Sequence, residues 1–156
     1  MKPLRWLDRT IEYWIALLFI AMVVVGGLQV FNRFILNQSL SWSEEFQKYM
    51  HIWLIFFTIP VAYRKGSHIG MRVLFDRFPA KIKFYLEWIF DLMWLFLGGA
   101  VVFYALQIMQ VAARQESAGL GIPMSYIYVG LVGGGIYWMI VAIRQIIGRI
   151  TLNVRD

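Results

Sequence analysis

Apolar positions gather into four uncharged runs, Tyr13–Phe31, Tyr49–Tyr63, Leu92–Ala113 and Ser117–Ile143, and the charged residues fall between them. A helix needs about 20 apolar residues to cross the hydrocarbon core of a bilayer. The first, third and fourth runs meet that length unaided. The second does so only if its helix begins before Tyr49. The pattern predicts an all-α integral membrane protein with transmembrane helices over about 13–34, 42–63, 86–113 and 124–147, forming one membrane domain over 1–156.

The polar segments sharpen these limits. Residues 2–12 form an amphipathic lead-in to the first helix. Ser41-Trp42-Ser43-Glu44 fits a capping box, with Ser41 capping the first turn and Glu44 reaching back to it. Pro60 removes a backbone donor near the end of the second helix, and Arg64 and Lys65 follow at the negative end of its dipole. Between helices 2 and 3, apolar and basic residues interleave over about 67–78, which reads as an amphipathic segment lying in the membrane interface. Pro79 suits the first turn of a third helix that runs to about Ala113, roughly 50 Å, long enough to tilt or to project from the membrane. Gly119-Leu120-Gly121-Ile122-Pro123 breaks the chain before the fourth.

Charge then orients the bundle. The N-terminus, the central loop and the C-terminus hold 12 Lys and Arg, and the two opposite loops hold 3. Positive residues stay on the cytoplasmic side, so both termini are expected there. The net charge of +6 brackets spans, and lipid headgroups are a more economical partner for it than nucleic acid. The first apolar run is longer than a signal-peptide core and no small-x-small cleavage site follows it, so it reads as a retained span. Cysteine is absent, which excludes disulfides, thiolate catalysis and Cys-ligated metals. Of the two histidines, His51 and His68, one lies in a span, too few for paired haem ligands.

The candidate chemistry is sparse. Glu44, Lys48 and His51 share a helical face, next to Glu45, at the outer end of helix 2. They read either as a charged patch that meets a partner protein or as a helix end with an ordinary i,i+4 pair. A cation-coupling site is disfavoured by their position at the membrane edge. No Asp, Glu, Lys or Arg lies inside the four runs, whereas carriers commonly place such residues, and broken helices, near the midplane. Gln107 and Gln110 read as interhelical hydrogen-bonding groups rather than substrate contacts. Asp91 ends the Lys83, Glu87, Asp91 stripe and calls for a partner among Arg64, Lys65 and Arg144. Arg72, Arg77, Lys81 and Lys83 read as positive-inside residues or as ligands of lipid phosphates. Gly130 and Gly134 form a G-x-x-x-G pair that supports close helix packing, within the bundle or against another subunit.

Three segments carry a resemblance: Trp-Ser-Glu-Glu at 42–45, Tyr-Arg-Lys-Gly-Ser-His-Ile-Gly at 63–70, and Ser-Ala-Gly-Leu-Gly-Ile-Pro-Met at 117–124. With four spans, the chain resembles over nearly its whole length the small membrane subunit of tripartite ATP-independent periplasmic (TRAP) transporters, the DctQ-like small permease. The resemblance implies a non-catalytic subunit in the bacterial inner membrane. Its partners would be a large membrane subunit that carries the substrate and sodium sites and a periplasmic protein that delivers an organic acid, of the sialic acid or C4-dicarboxylate type. The small subunit would brace the scaffold of the large one, and Glu44, Glu45 and Lys48 would contribute to the outer docking surface. No cofactor and no nucleic acid is expected. A self-sufficient homo-oligomeric carrier or channel is the competing reading.

Overall fold

The computed structural model describes residues 4–65 and 78–153. It is all-helical, with α1 at Leu4–Ile35, α2 at Ser41–Arg64, α3 at Ala80–Ala112 and α4 at Ser125–Asn153. Helices α1, α3 and α4 are each long and apolar enough to cross a membrane. The amphipathic lead-in is the first turns of α1 itself, so that helix is longer than its apolar run requires. The interfacial segment expected over about 67–78, with Arg72 and Arg77, lies outside the described residues except for Phe78, which is exposed. Lys81 and Lys83 lie at the start of α3.

The connections between α1 and α2 and between α3 and α4 have local causes. Asn37 adopts a left-handed conformation (φ 51°), which asparagine tolerates, and Gln38 N–H returns to the Asn32 carbonyl at 3.1 Å. The expected capping box does not form. Leu40 occupies the N-cap of α2 and makes no side-chain cap. Ser41 is already helical, and the Ser43 hydroxyl donates to the Leu40 carbonyl at 2.7 Å. Glu44 is thereby left exposed. Between α3 and α4 the chain folds back on itself: Ser117 N–H donates to Ile122 O at 2.9 Å and Met124 N–H to Gln115 O at 2.9 Å. Gly121 turns this loop at φ 64°.

Packing runs α1, α2, α4, α3, with α4 shared between α2 and α3. Of the apolar window of α4, 39% is buried, against 11% for α1 and 17% for α3. The glycines of α4 explain its central place. A methyl group on Gly130 would sit inside the Trp53 indole of α2. One on Gly134 would lie 2.8 Å from Phe56 Cβ and 2.9 Å from the Phe56 carbonyl oxygen. That carbonyl lacks its i+4 donor because the donor position is Pro60, which is buried in the same contact zone. On the other side, a Cβ at Gly135 would meet Val102 of α3 at 2.7 Å. The glycine run thus closes α4 on both neighbours, and Gly130 and Gly134 pack within this chain. Trp53 Nε1–H adds a hydrogen bond to the Ile127 carbonyl at 3.0 Å.

Helix α3 buries Asp91, Gly98, Ala105 and Ala112, one residue in seven, so a narrow stripe of mostly small side chains faces α4. Gln107 and Gln110 fall away from that stripe and are exposed. Neither makes an interhelical hydrogen bond among the described residues, contrary to the expectation from their spacing. Gly134→Ala should destabilise the fold by about 1–3 kcal/mol through overpacking against Phe56. Gly99→Ala, with nothing within 4 Å of the new methyl, should be neutral or slightly stabilising. Unfolding midpoints of the two variants in detergent check this.

Candidate functional site

Two polar constellations stand out, one at each end of the bundle. The first begins with Asp8 on α1, whose side chain is 6% exposed. Its Oδ1 accepts from Tyr137 OH at 3.0 Å and from Arg144 Nη1 at 2.9 Å, and its Oδ2 lies 3.0 Å from the same Arg144 nitrogen. Arg64 pairs with Asp8 and also with Glu12, and Lys65 Nζ lies 3.1 Å from Glu12. One carboxylate therefore gathers α1, α2 and α4.

Asp91 on α3, 3% exposed, forms a second node. It accepts a hydrogen bond from Tyr63 OH of α2 and pairs with Arg149 of α4, which also pairs with Glu87. The stripe ending in Asp91 thus finds Arg149 rather than Arg64, Lys65 or Arg144. The reason is the order of the helices. Arg144 and Arg149 are five residues apart, roughly 140° around α4, so one faces the α1 side and the other α3. Consecutive residues of α2 divide in the same way, Tyr63 toward Asp91 and Arg64 toward Asp8. Tyr63 stacks on Trp94 (4.7 Å between centroids, 24° between planes), and Trp94 lies 4.7 Å from Trp138. An apolar cluster of Val61, Tyr137, Val141 and Ala142 surrounds these rings.

A buried carboxylate is tolerated only when paired and hydrogen-bonded. Both meet that condition with groups from at least two other helices. Both Asp8 oxygens and Asp91 Oδ1 accept hydrogen bonds, and both carboxylates face arginines of α4, an arrangement that ties the helices in register. Among the described residues no group of three or more His, Asp or Glu could hold a metal ion.

The second constellation, at the opposite end of the bundle, centres on Glu45 of α2. Its Oε2 accepts from the Ser117 hydroxyl, from Gly119 N–H at 2.9 Å and from Leu120 N–H at 3.2 Å. It holds the α3–α4 loop against the start of α2, and Gly119 fits because a Cβ there would lie 2.9 Å from the Ser41 carbonyl oxygen. Glu44 and Lys48 are exposed and do not pair with each other. Beside them a cavity of about 500 Å³ is lined by Gln29, Arg33, Ser39, Leu40, Ser41 and Glu44. Gln47 Nε2 donates to Gln29 Oε1 at 3.0 Å beneath it.

Of the site residues expected from sequence, the structure separates Glu45, spent on an internal loop, from Glu44 and Lys48, which face outward. The clamp residues Asp8, Glu12, Arg144 and Arg149 were not anticipated as a group. A signal existed for part of it, since Asp8 and Glu12 share a helical face at i,i+4. The orientation of Glu45 was also legible: it lies on the side of α2 that carries Trp53 and Phe56.

Comparison with known proteins decides the family. Residues 22–152 match the family described as tripartite ATP-independent periplasmic transporters, DctQ component. The chain belongs to the DctQ family. This DctQ chain is 26% identical over 153 residues to the Vibrio cholerae sialic acid TRAP transporter small permease protein SiaQ, covering 97% of the chain and 88% of the relative. It is 28% identical over 138 residues to the Oleidesulfovibrio alaskensis isethionate TRAP transporter permease protein DctMQ, covering 82% of the chain but 22% of that relative. A shorter match, 29% over 80 residues, covers 51% of the chain and 13% of the Haemophilus influenzae sialic acid TRAP transporter permease protein SiaT. The DctQ chain is therefore a small permease subunit of a TRAP transporter and a multi-pass membrane protein.

Asp8→Ala should cost about 3–5 kcal/mol, because it leaves Arg144 and Arg64 without their buried partner. Adding Arg144→Leu should recover part of that loss. Unfolding free energies for the two singles and the double test it, and simple additivity would show that the pair is not coupled.

Proposed function

We propose that this DctQ chain is the non-catalytic brace of a sodium-coupled uptake system for an organic acid in the bacterial inner membrane. The observation that carries the reading is the match to DctMQ and SiaT, in which a DctQ-like segment is a small part of a much longer permease. In this reading a large permease subunit is the partner of the DctQ chain and holds the substrate and sodium sites. The inner clamp supports the assignment, since the negative charges of Asp8 and Asp91 are paired with Arg144 and Arg149. Relatives named for sialic acid and for isethionate match at similar identity. Substrate choice accordingly rests outside this subunit, and sialic acid is the first compound to try.

In this reading all four helices cross the membrane, α2 included, and both termini lie in the cytoplasm. The charge distribution supports that orientation, as does the packing of α2 between α1 and α4. The periplasmic rim helps to dock a soluble substrate-binding protein. Glu44 contributes exposed charge there, and Glu45 contributes by shaping the loop at 117–124. Arg72, Arg77, Lys81 and Lys83 meet anionic headgroups on the cytoplasmic side.

Tagged protein isolated from native membranes in mild detergent should bring down a much larger permease in near-equal amount. Recovery as a homo-oligomer alone, active in liposomes, would instead establish an independent carrier. With the complete transporter reconstituted, Glu44→Lys should lower uptake driven by the binding protein while the two membrane subunits still co-purify. Uptake unchanged by this reversal would remove Glu44 from the docking surface.

A further inference from the structure

The exposed face of α2 differs from every other exposed helix face in the structure. Its most exposed residues are Ser41, Glu44, Lys48, His51 and Ile55, spaced as one helical stripe. The rest of α2 is engaged. Gln47 meets α1, and Trp53, Phe56 and Phe57 meet α4. The exposed residues of α1 between Tyr13 and Phe31 are uncharged, and those of α3 beyond Asp91 are apolar apart from Gln107 and Gln110. Among the described residues, and apart from Arg33 at the end of α1, charged or imidazole side chains on an outer face within a span lie on α2, whereas the polar groups that α3 and α4 expose there are amides and the phenols of Tyr104 and Tyr126. None of Glu44, Lys48 and His51 has a hydrogen-bond or ion-pair partner among the described residues.

Depth makes this costly. Arg64 and Lys65 mark the inner end of α2. A hydrocarbon core of about 30 Å corresponds to about 20 helical residues, so the outer boundary falls near Glu44. Lys48 then lies about 6 Å and His51 about 10 Å below it. Lysine can lift its ammonium to the headgroups on a flexible stem, but the short imidazole cannot. Lipid tails offer no partner for a ring that carries both a donor and an acceptor.

We propose that the stripe Lys48, His51 and Ile55 of α2 is the seam against which a transmembrane helix of the large subunit packs, that helix supplying polar groups opposite Lys48 and His51. The occupant is a membrane helix rather than a lipid because the stripe needs hydrogen-bonding groups at hydrocarbon depth. Its outer end borders the cavity between α1 and α2, where Gln29, Arg33 and Ser41 offer polar groups to a side chain of the incoming segment. The proposal rests on the subunit reading above and adds the face by which the subunit attaches.

The test uses the complete transporter in native membranes. The photo-crosslinking residue p-benzoylphenylalanine replaces Lys48, His51 or Ile55, and Phe96 or Phe103 on the exposed side of α3 as controls. Expected are covalent adducts with the large subunit from the α2 positions and background from the α3 positions. A second variant, Lys48→Leu with His51→Leu, should keep the chain folded and inserted and reduce co-recovery of the large subunit about tenfold, the loss of two interhelical hydrogen bonds. Adducts with the large subunit from α3 alone would overturn the proposal. So would α2 adducts confined to lipid, to a second copy of this chain or to the binding protein. If the unmodified chain fails to co-purify with a large subunit, the subunit reading itself fails. If it co-purifies and the α2 positions stay silent, only the seam is wrong.

Discussion

Two carboxylates buried at one end of the bundle set the arrangement of everything else. Asp8 on α1 and Asp91 on α3 cannot remain charged away from water without cationic partners. Those partners, Arg144 and Arg149, project from opposite sides of α4. Helix α4 must therefore stand between the regions where the two acidic residues sit, and α2 must supply Tyr63 to one and Arg64 to the other. A shift of α4 by one turn would break both nodes together. The clamp accordingly specifies register. Its net contribution to stability is a separate matter, since apolar replacements of buried ion pairs are often no less stable.

Backbone contact between helices completes what the charges begin. Lipid tails are as apolar as leucine, so burying apolar surface gives little drive for helices to associate in a membrane, and close packing takes its place. In this DctQ chain the close packing is concentrated on α4. Gly130 and Gly134 admit Trp53 and Phe56, and Gly135 admits Val102. Pro60 contributes by freeing the Phe56 carbonyl at the point where Gly134 comes nearest. Helix α1 exposes most of its length, and α3 packs on α4 along one narrow stripe and exposes its other side. A bundle with so much uncovered helix suits a subunit whose surface is completed by a larger neighbour.

The opposite end of the bundle follows another logic. Glu45 uses one carboxylate oxygen to organise a loop of small residues, and Ser117, Gly119 and Leu120 supply its donors. Its neighbour Glu44 is left to solvent or to a partner. Two adjacent glutamates thus do different work because consecutive residues on a helix point about 100° apart. Glu45 shares the side of α2 that meets α4, and Glu44 does not.

The sequence by itself determined the number of helices, their approximate limits, the polar loops between them and the family. These follow from hydrophobic run length, from turn-forming residues and from motifs that lie contiguous in the chain. It also marked Glu44, Glu45, Lys48, Gly130 and Gly134 as positions of interest, without separating their roles. Only the tertiary structure decided the order in which helices pack, and with it the partners of each charge. Asp91 lies 58 residues from Arg149 along the chain, and no local periodicity joins them. Likewise the exposure of Gln107 and Gln110 depends on which side of α3 meets α4, because an almost wholly apolar helix carries no pattern that distinguishes a lipid-facing side from a protein-facing one.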